Sequence, residues 1–361
     1  MAKNKQDGIF PTEYEFAGAN TGSGFVSFYD RLFPEGELSA LYIIKGGSGT
    51  GKSTFMRRVL AAAAGEGFAG RGYLCGSDES SLDGVMIAGC DGRRVGIIDG
   101  TPPHARELRC PGAAGDILDF GRFWDSAALR RRRSEIEALC RRKSSAFDTS
   151  YRYLGAAEKI NRHIYRLWSG VFERTKAATA ARRLISQFDG AGSVTYAQLS
   201  GFTMNGEVRF GAYDSDVKLY PVTGDADAAS MFIDEVVREA KSSGIAAYVS
   251  CSPLDLTHAE SVYFPHDRAF VYRSDLQVPD RAEKVINTRR FIDRAAAGKV
   301  RQKIRFGKKC RASLIDGGLE SLADARECHF ALEKIYGACM DFDALESEQA
   351  LWIGRILAQL A

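Results

Sequence analysis

"LYIIKGGSGTGKSTF", Leu41–Phe55, is the stretch on which the reading of this chain turns. Ala40–Gly46 is a short apolar run rich in β-formers and reads as a buried strand. From Ser53, "STFMRRVLAAAAGEGF" has helical spacing and strong helix formers, with a break expected at Gly65. Between them, Gly46, Gly47, Ser48, Gly49, Thr50, Gly51, Lys52 and Ser53 satisfy G-x-x-x-x-G-K-[ST] in its required strand-to-helix context. Glycines let the backbone curl so that consecutive N–H groups face an anion, and the helix N-terminus adds positive partial charge. The expected roles follow. Gly46–Thr54 binds a nucleotide triphosphate, Lys52 reaches the β- and γ-phosphates, and the Ser53 hydroxyl ligates Mg²⁺.

Such a site needs an acid to orient the magnesium shell. "RVGIIDG", Arg94–Gly100, is an apolar strand ending in Asp99, which is assigned that metal role. Position 100 is glycine, where many ATP-driven motors carry the glutamate that activates water. The base must then come from elsewhere, or a substrate supplies the attacking group. Asp78, Glu79 and Asp83 in "CGSDESSLDG" follow the next predicted strand and can orient water or take a proton; Asp78 is the residue assigned a catalytic part. His104 reads as a structural hydrogen-bonder near the Asp99 end. The arginines at 130–133 and 141–142 read as a solvated helix face, with a lid or arginine finger as the alternative.

The second half repeats the first weakly. "LYPVTGDADAASMF", Leu219–Phe232, parallels Leu41–Phe55, and "ANTGSGFVSF" parallels "FTMNGEVRF". Glu158-Lys159-Ile160 and Glu333-Lys334-Ile335 match at a spacing of 175. Several matches in one order suggest two related domains. Gly224 aligns with Gly46, but the later glycines and the lysine are missing. Asp225 and Asp227 would repel phosphate there, so a strand–loop–helix without a triphosphate site is expected.

Composition sets the limits. The chain has 361 residues, 45% of them hydrophobic, enough for two packed domains. A net charge of +3 argues against dedicated nucleic-acid binding, and no apolar run is long enough to span a bilayer. Eight cysteines without a C-x-x-C pair, behind a start that lacks an apolar h-region, read as reduced thiols of a cytoplasmic protein. Cys328-His329 has no second pair at zinc-ligand spacing, and "NKQD", Asn4–Asp7, is a guanine-motif match with no strand to present it.

"ANTGSGFVSFYD", "LYIIKGGSGTGKST", "SLDGVMI", "GIIDGTPPH", "RCPGAAGDILDFGRFWD" and "LEKIYGACMDF" resemble a bacterial family of two-domain, ATPase-like P-loop proteins. The resemblance covers most of the chain and implies a cytoplasmic ATP-binding protein with two P-loop-type folds; it implies no particular reaction. Members tend to keep a recognisable P-loop in the second half, and this chain departs from that.

The expected fold is α/β: a P-loop NTPase fold with a mainly parallel sheet, in tandem duplication, plus a long helical insertion. The expected domains are a leader (1–13), a P-loop core (14–122), a lid-like helical region packing with it (123–190) and a degenerate second domain with C-terminal helices (191–361). The expected function is an ATP- and Mg²⁺-dependent ATPase with one active site. The alternatives are a nucleotide or small-molecule kinase, which would need an acceptor, and an ATP-switched binding protein. A protein partner or a homodimer is left open.

Overall fold

The computed structural model describes residues 14–274 and 278–360; the leader and its "NKQD" lie outside the described residues. The chain forms two compact units. One comprises Tyr14–Tyr151, Phe202–Val208 and the chain from Gly318 onward; the other comprises Arg152–Gly201 and Arg209–Gly317. The helical region set apart at 123–190 is therefore divided between the units.

The first unit begins with β1 (Tyr14–Phe16), β2 (Gly18–Thr21), β3 (Gly24–Ser27) and a short α1 (Tyr29–Leu32). Then come β4 (Ala40–Lys45), α2 (Lys52–Gly65), β5 (Ala69–Leu74), β6 (Leu82–Ala88), β7 (Arg94–Asp99) and β8 (Gly115–Asp119). The sheet order is β1-β5-β6-β7-β4-β8. Three neighbouring pairs are parallel and two antiparallel, so the sheet is mixed. The antiparallel β6–β7 pair closes around Asp91-Gly92, where Gly92 takes φ +88°. Leu41, Ile43 and Ile98 pack with Tyr29 and Phe33 in the core beneath.

After α3 (Ser126–Arg131), α4 (Arg133–Ser169) and α5 (Arg174–Ile185), the chain forms β9 (Val194–Tyr196), β10 (Ser200–Thr203), β11 (Gly206–Arg209) and β12 (Lys218–Thr223). It continues through α6 (Ala226–Ser243), β13 (Ala247–Ser252), β14 (Asp255–Phe264), β15 (Ala269–Arg273), β16 (Ile286–Asn287), α7 (Arg294–Gly337) and α8 (Phe342–Leu357). The second sheet, read as β9-β13-β14-β15-β12-β16, has the order and strand directions of the first. Helix α2 buries Phe55, Met56, Val59 and Ala63; α6 buries Phe232, Ile233, Val236 and Ala240 at the same spacing. The hairpin turns of β2–β3 and β10–β11 also repeat. In each, a threonine hydroxyl (Thr21, Thr203) donates to a glycine carbonyl three residues on and accepts the N–H two residues on. The two sheets thus share one strand order and one set of strand directions.

The helices repeat too, in a register that differs from the sequence expectation. Asp125 and Asp293 cap equivalent helices, 168 positions apart. In the first unit Asp125 N–H donates to Cys339 O and Asp341 N–H to Phe123 O. In the second, Asp293 N–H donates to Val171 O and Glu173 N–H to Phe291 O. Every residue here has its counterpart 168 positions away. The Glu158/Glu333 match at 175 is therefore a coincidence of helix-forming composition. All eight cysteines are free thiols, and none of the described helices is long and apolar enough to cross a membrane.

Candidate functional site

Strand β4, flanked by β7 and β8, delivers the chain into the glycine-rich loop. Gly49 takes φ +71° and Gly51 φ +82°, backbone that favours glycine. Gly51 caps α2 with no side-chain hydrogen bond, so the first-turn N–H groups have no side-chain acceptor. Thr50 Oγ1 donates to Gly47 O (2.9 Å), tightening the loop. Lys52 folds back over it: Nζ donates to Gly46 O (3.1 Å) and Gly47 O (2.7 Å) and lies 3.5 Å from Asp99 Oδ2.

Asp99 is brought there by register, since Ile44 of β4 pairs with Asp99 of β7. Its Oδ1 accepts from Thr101 N (2.9 Å) and Thr101 Oγ1 (2.6 Å), which leaves Oδ2 turned to Lys52. Burial raises the Asp99 carboxyl above the usual carboxylate range; the Lys52 charge opposes this and the Asp83 charge adds to it. Ser53 Oγ accepts Leu82 N–H (2.9 Å), so its own proton remains to be donated elsewhere. A side chain at position 100 has no room: a Cβ on Gly100 would lie 2.2 Å from Ile43 Cγ2. The absence of a glutamate after Asp99 is thus built into the packing.

Behind Asp99 lies a buried array that sequence reasoning left unassembled. His104 Nε2 lies 2.9 Å from Asp83 Oδ2, an ion-pair contact out of line for a hydrogen bond. His104 Nδ1 is 3.0 Å from Ser27 Oγ. Tyr29 stacks on His104 at 4.3 Å, and its hydroxyl donates to the carbonyls of Asp83 (2.7 Å) and Asp99 (3.0 Å). Burial, with Asp83 and Asp99 nearby, pushes the Tyr29 hydroxyl well above its ordinary range, so it stays a donor. This ties the ends of β6 and β7 together and fixes Asp99. His104 thus hydrogen-bonds Ser27 and makes an ion-pair contact with Asp83.

The other sequence candidates have partners of their own. Asp78 Oδ1 accepts Ser80 N–H (3.1 Å) and Ser80 Oγ–H (2.7 Å), a local turn. Glu79 accepts from Asn205. The exposed Arg132 and Arg133 pair along their helix with Glu135 and Glu137. Among the described residues, no three His, Cys, Asp or Glu side chains converge as a metal cage.

The rest of the chain walls the loop in. A Cβ on Gly49 would lie 2.5 Å from the Glu333 carbonyl, and one on Gly47 would touch Tyr336 and Trp124. Lys143 Nζ is 3.2 Å from His329 Nδ1, and His329 Nε2 is 3.3 Å from Glu333 Oε1. The His329 hydrogen bond holds the Glu333 carboxyl below its usual range, against burial and with help from the Lys52 and Lys143 charges. No sequence pattern announces these contacts; Lys143 and His329 are 186 positions apart.

The matching loop of the second unit is built differently. Only Gly224 keeps positive φ (+112°), and α6 starts at Ala226, six residues before Phe232, whereas α2 starts three before Phe55. Without the later glycines the loop winds into helix. Asp225 and Asp227 are not free repelling charges, as expected, but are paired: Lys308 Nζ lies 2.5 Å from Asp225 Oδ2 and 3.0 Å from Asp227 Oδ2, and Arg311 Nη1 lies 2.6 Å from Asp227 Oδ1. The cations come from α7 rather than from the loop. A cavity of about 690 Å³ opens elsewhere in this unit, lined in part by Tyr165, Arg166, Asp234 and His258. Comparison with family models, with curated proteins and with solved structures yields no significant match.

Proposed function

We propose that the protein is a P-loop nucleoside triphosphatase that binds Mg-ATP at Gly46–Thr54 and hydrolyses it slowly. The observation that carries this reading is the placement of Lys52. It folds over a loop with two positive-φ glycines, at an uncapped helix start, 3.5 Å from a buried strand-end aspartate. Curled N–H groups, a positive helix end and a lysine together suit a phosphate chain.

The residues present fit a magnesium ion as well. Mg²⁺ is usually held by one or two protein oxygens plus phosphate and water, so the lack of an all-protein cage among the described residues does not count against it. The Ser53 hydroxyl and the Asp99 carboxylate would hold it, and when bound it neutralises charge on the phosphates. The chain's own part is then clear. Loop amides orient the phosphates, Lys52 shifts from the carbonyls of Gly46 and Gly47 onto the phosphate end, and the Tyr29–Asp83–His104 array keeps Asp99 in place. With no carboxylate possible at position 100, water is poorly activated, hence slow turnover. ATP rather than GTP belongs to this reading because no N-K-x-D guanine-reading motif follows the Gly46–Ser53 loop in the sequence. The tandem P-loop duplication belongs to the same reading, with the second loop as a filled copy.

The test incubates purified protein with Mg-ATP, with and without a panel of small metabolites, and identifies products by mass. Phosphate released without an acceptor is the expected result. A phosphorylated metabolite would point to a kinase, and tight binding without turnover to an ATP-switched binder. Normal ATP binding and hydrolysis by Lys52→Ala would show that the site is misassigned.

A further inference from the structure

We infer that Lys143 is a second phosphate-contacting cation, reaching from α4 to the terminal phosphate of the nucleotide held by the Gly46–Thr54 loop. The inference rests on the nucleotide-site reading above and assigns it a residue. Its ground is the repeat. The 168-residue register fixed by Asp125/Asp293, Phe123/Phe291 and Asp341/Glu173 pairs Lys143 with Arg311 and His329 with Asn161. The side chains obey that register. In the first unit Lys143 contacts His329 at 3.2 Å; in the second, Arg311 donates to Asn161 Oδ1. One cation–polar pair is thus made twice, each time across two long helices.

The two copies differ in what the cation meets next. Arg311 also grips Asp227, a carboxylate at the start of α6. Aligned from Phe55 and Phe232, Asp227 stands where Thr50 stands in the first loop, within the curl. The second loop therefore carries its own anion at the place where the first is shaped to receive one, and the helix cation is already paired with it.

In the first loop Thr50 supplies no charge, so the equivalent cation has no carboxylate of the loop to hold. Lys143 is instead propped by His329. With Nε2–H on Glu333, His329 turns an unprotonated Nδ1 to the lysine and leaves other ammonium protons to donate. His329 links Lys143 to Glu333, whose backbone lies against Gly49, and this chain of contacts places the ammonium beside the loop. Burial lowers the Lys143 pKa, as suits a partly desolvated ammonium that a phosphate would stabilise. A side chain arriving from another helix meets the part of the phosphate chain that the loop does not wrap, which is the terminal group.

The experiment measures dissociation constants for Mg-ATP and Mg-ADP by calorimetry on the full chain, wild type, Lys143→Met, Lys143→Arg and Lys52→Ala. Methionine keeps most of the packing volume, and arginine copies position 311. Lys143→Met should weaken ATP binding by roughly ten- to a hundred-fold, the loss of one charged hydrogen bond, with ADP changed by less than about threefold. Lys143→Arg should restore ATP binding to within about threefold. Equal losses for ATP and ADP would mark a merely structural role, and unchanged ATP affinity in Lys143→Met would equally overturn the inference. If wild type binds ATP in a Lys52-dependent way while Lys143→Met behaves normally, only this inference fails. If wild type shows no Lys52-dependent binding, the nucleotide-site reading fails and takes this one with it.

Discussion

Arg311 Nη1 lies 2.6 Å from Asp227 Oδ1, and Asp227 is only 3% exposed. Burial would raise the Asp227 carboxyl, but Arg311 and Lys308 outweigh it and hold it below the usual range. The stability this contributes is present above the unfolded-state carboxylate pKa and is lost as pH falls through the lower folded value. Removing Asp227 leaves Arg311 without its carboxylate and Lys308 with Asp225 alone. Asp227→Ala should therefore cost about 3 kcal/mol, read from the urea midpoint, and Asp227→Ala/Arg311→Met clearly less than the two single losses added. A change under about 0.5 kcal/mol, the range of an ordinary surface substitution, would mean that the pair does not hold α6 to α7.

Lys52 and Asp99 meet at 3.5 Å, and the second unit has no equivalent lysine. One nucleotide per chain is the expected stoichiometry, and Lys52→Ala should abolish it. Asp99→Asn should keep nucleotide binding without Mg²⁺ and lower Mg-dependent turnover roughly a hundredfold or more. Titration calorimetry and phosphate release with and without Mg²⁺ check both; two sites per chain would contradict the first expectation.

Glycines can be ranked by what surrounds them. Gly49 has φ +71° and would press a Cβ against the Glu333 backbone, whereas Gly24, at φ +104°, has open space around it. Gly24→Ala should cost only backbone strain, about 1 kcal/mol. Gly49→Ala should cost more, by 1–3 kcal/mol in rough terms, because backbone must shift, and should impair nucleotide binding as well. Thermal melts and ATP titrations of both variants compare them. Equal behaviour of the two would show that the Glu333 contact is not constraining.

His258 Nδ1 sits 2.7 Å from Asp234 Oδ2, with Tyr165 stacked on the ring at 3.8 Å. Burial lowers the imidazole pKa, yet the Asp234 hydrogen bond and charge raise it above the ordinary value. The sign for stability follows from a raised folded pKa. The contribution is complete below the unfolded value of about 6.5 and fades as pH rises through the higher folded one. NMR titration should place the His258 midpoint above about 6.5 in the native protein. In Asp234→Asn, burial is opposed only by the smaller effects of the Asp255 and Asp227 charges, and the midpoint should fall. A midpoint insensitive to Asp234 would refute the pairing.

The sequence by itself determined what is local. The glycines and apolar runs around Leu41–Phe55 dictate a strand, a curled loop and a helix, because φ and side-chain periodicity act over a few residues. The Asp91-Gly92 hairpin turn was legible for the same reason, as was the loss of glycines after Gly224. Asp99 could be placed because it ends a strand that register sets beside β4. Tertiary structure alone decided the rest. It buried Asp83 against His104 while leaving Asp78 in a turn, it set Lys143 on His329, and it paired Asp227 with Arg311. It also fixed the helical repeat at 168 rather than 175. These depend on which long helices lie against which sheet, and that choice is made by the summed burial of side chains far apart in the chain, a quantity that no short window of residues contains.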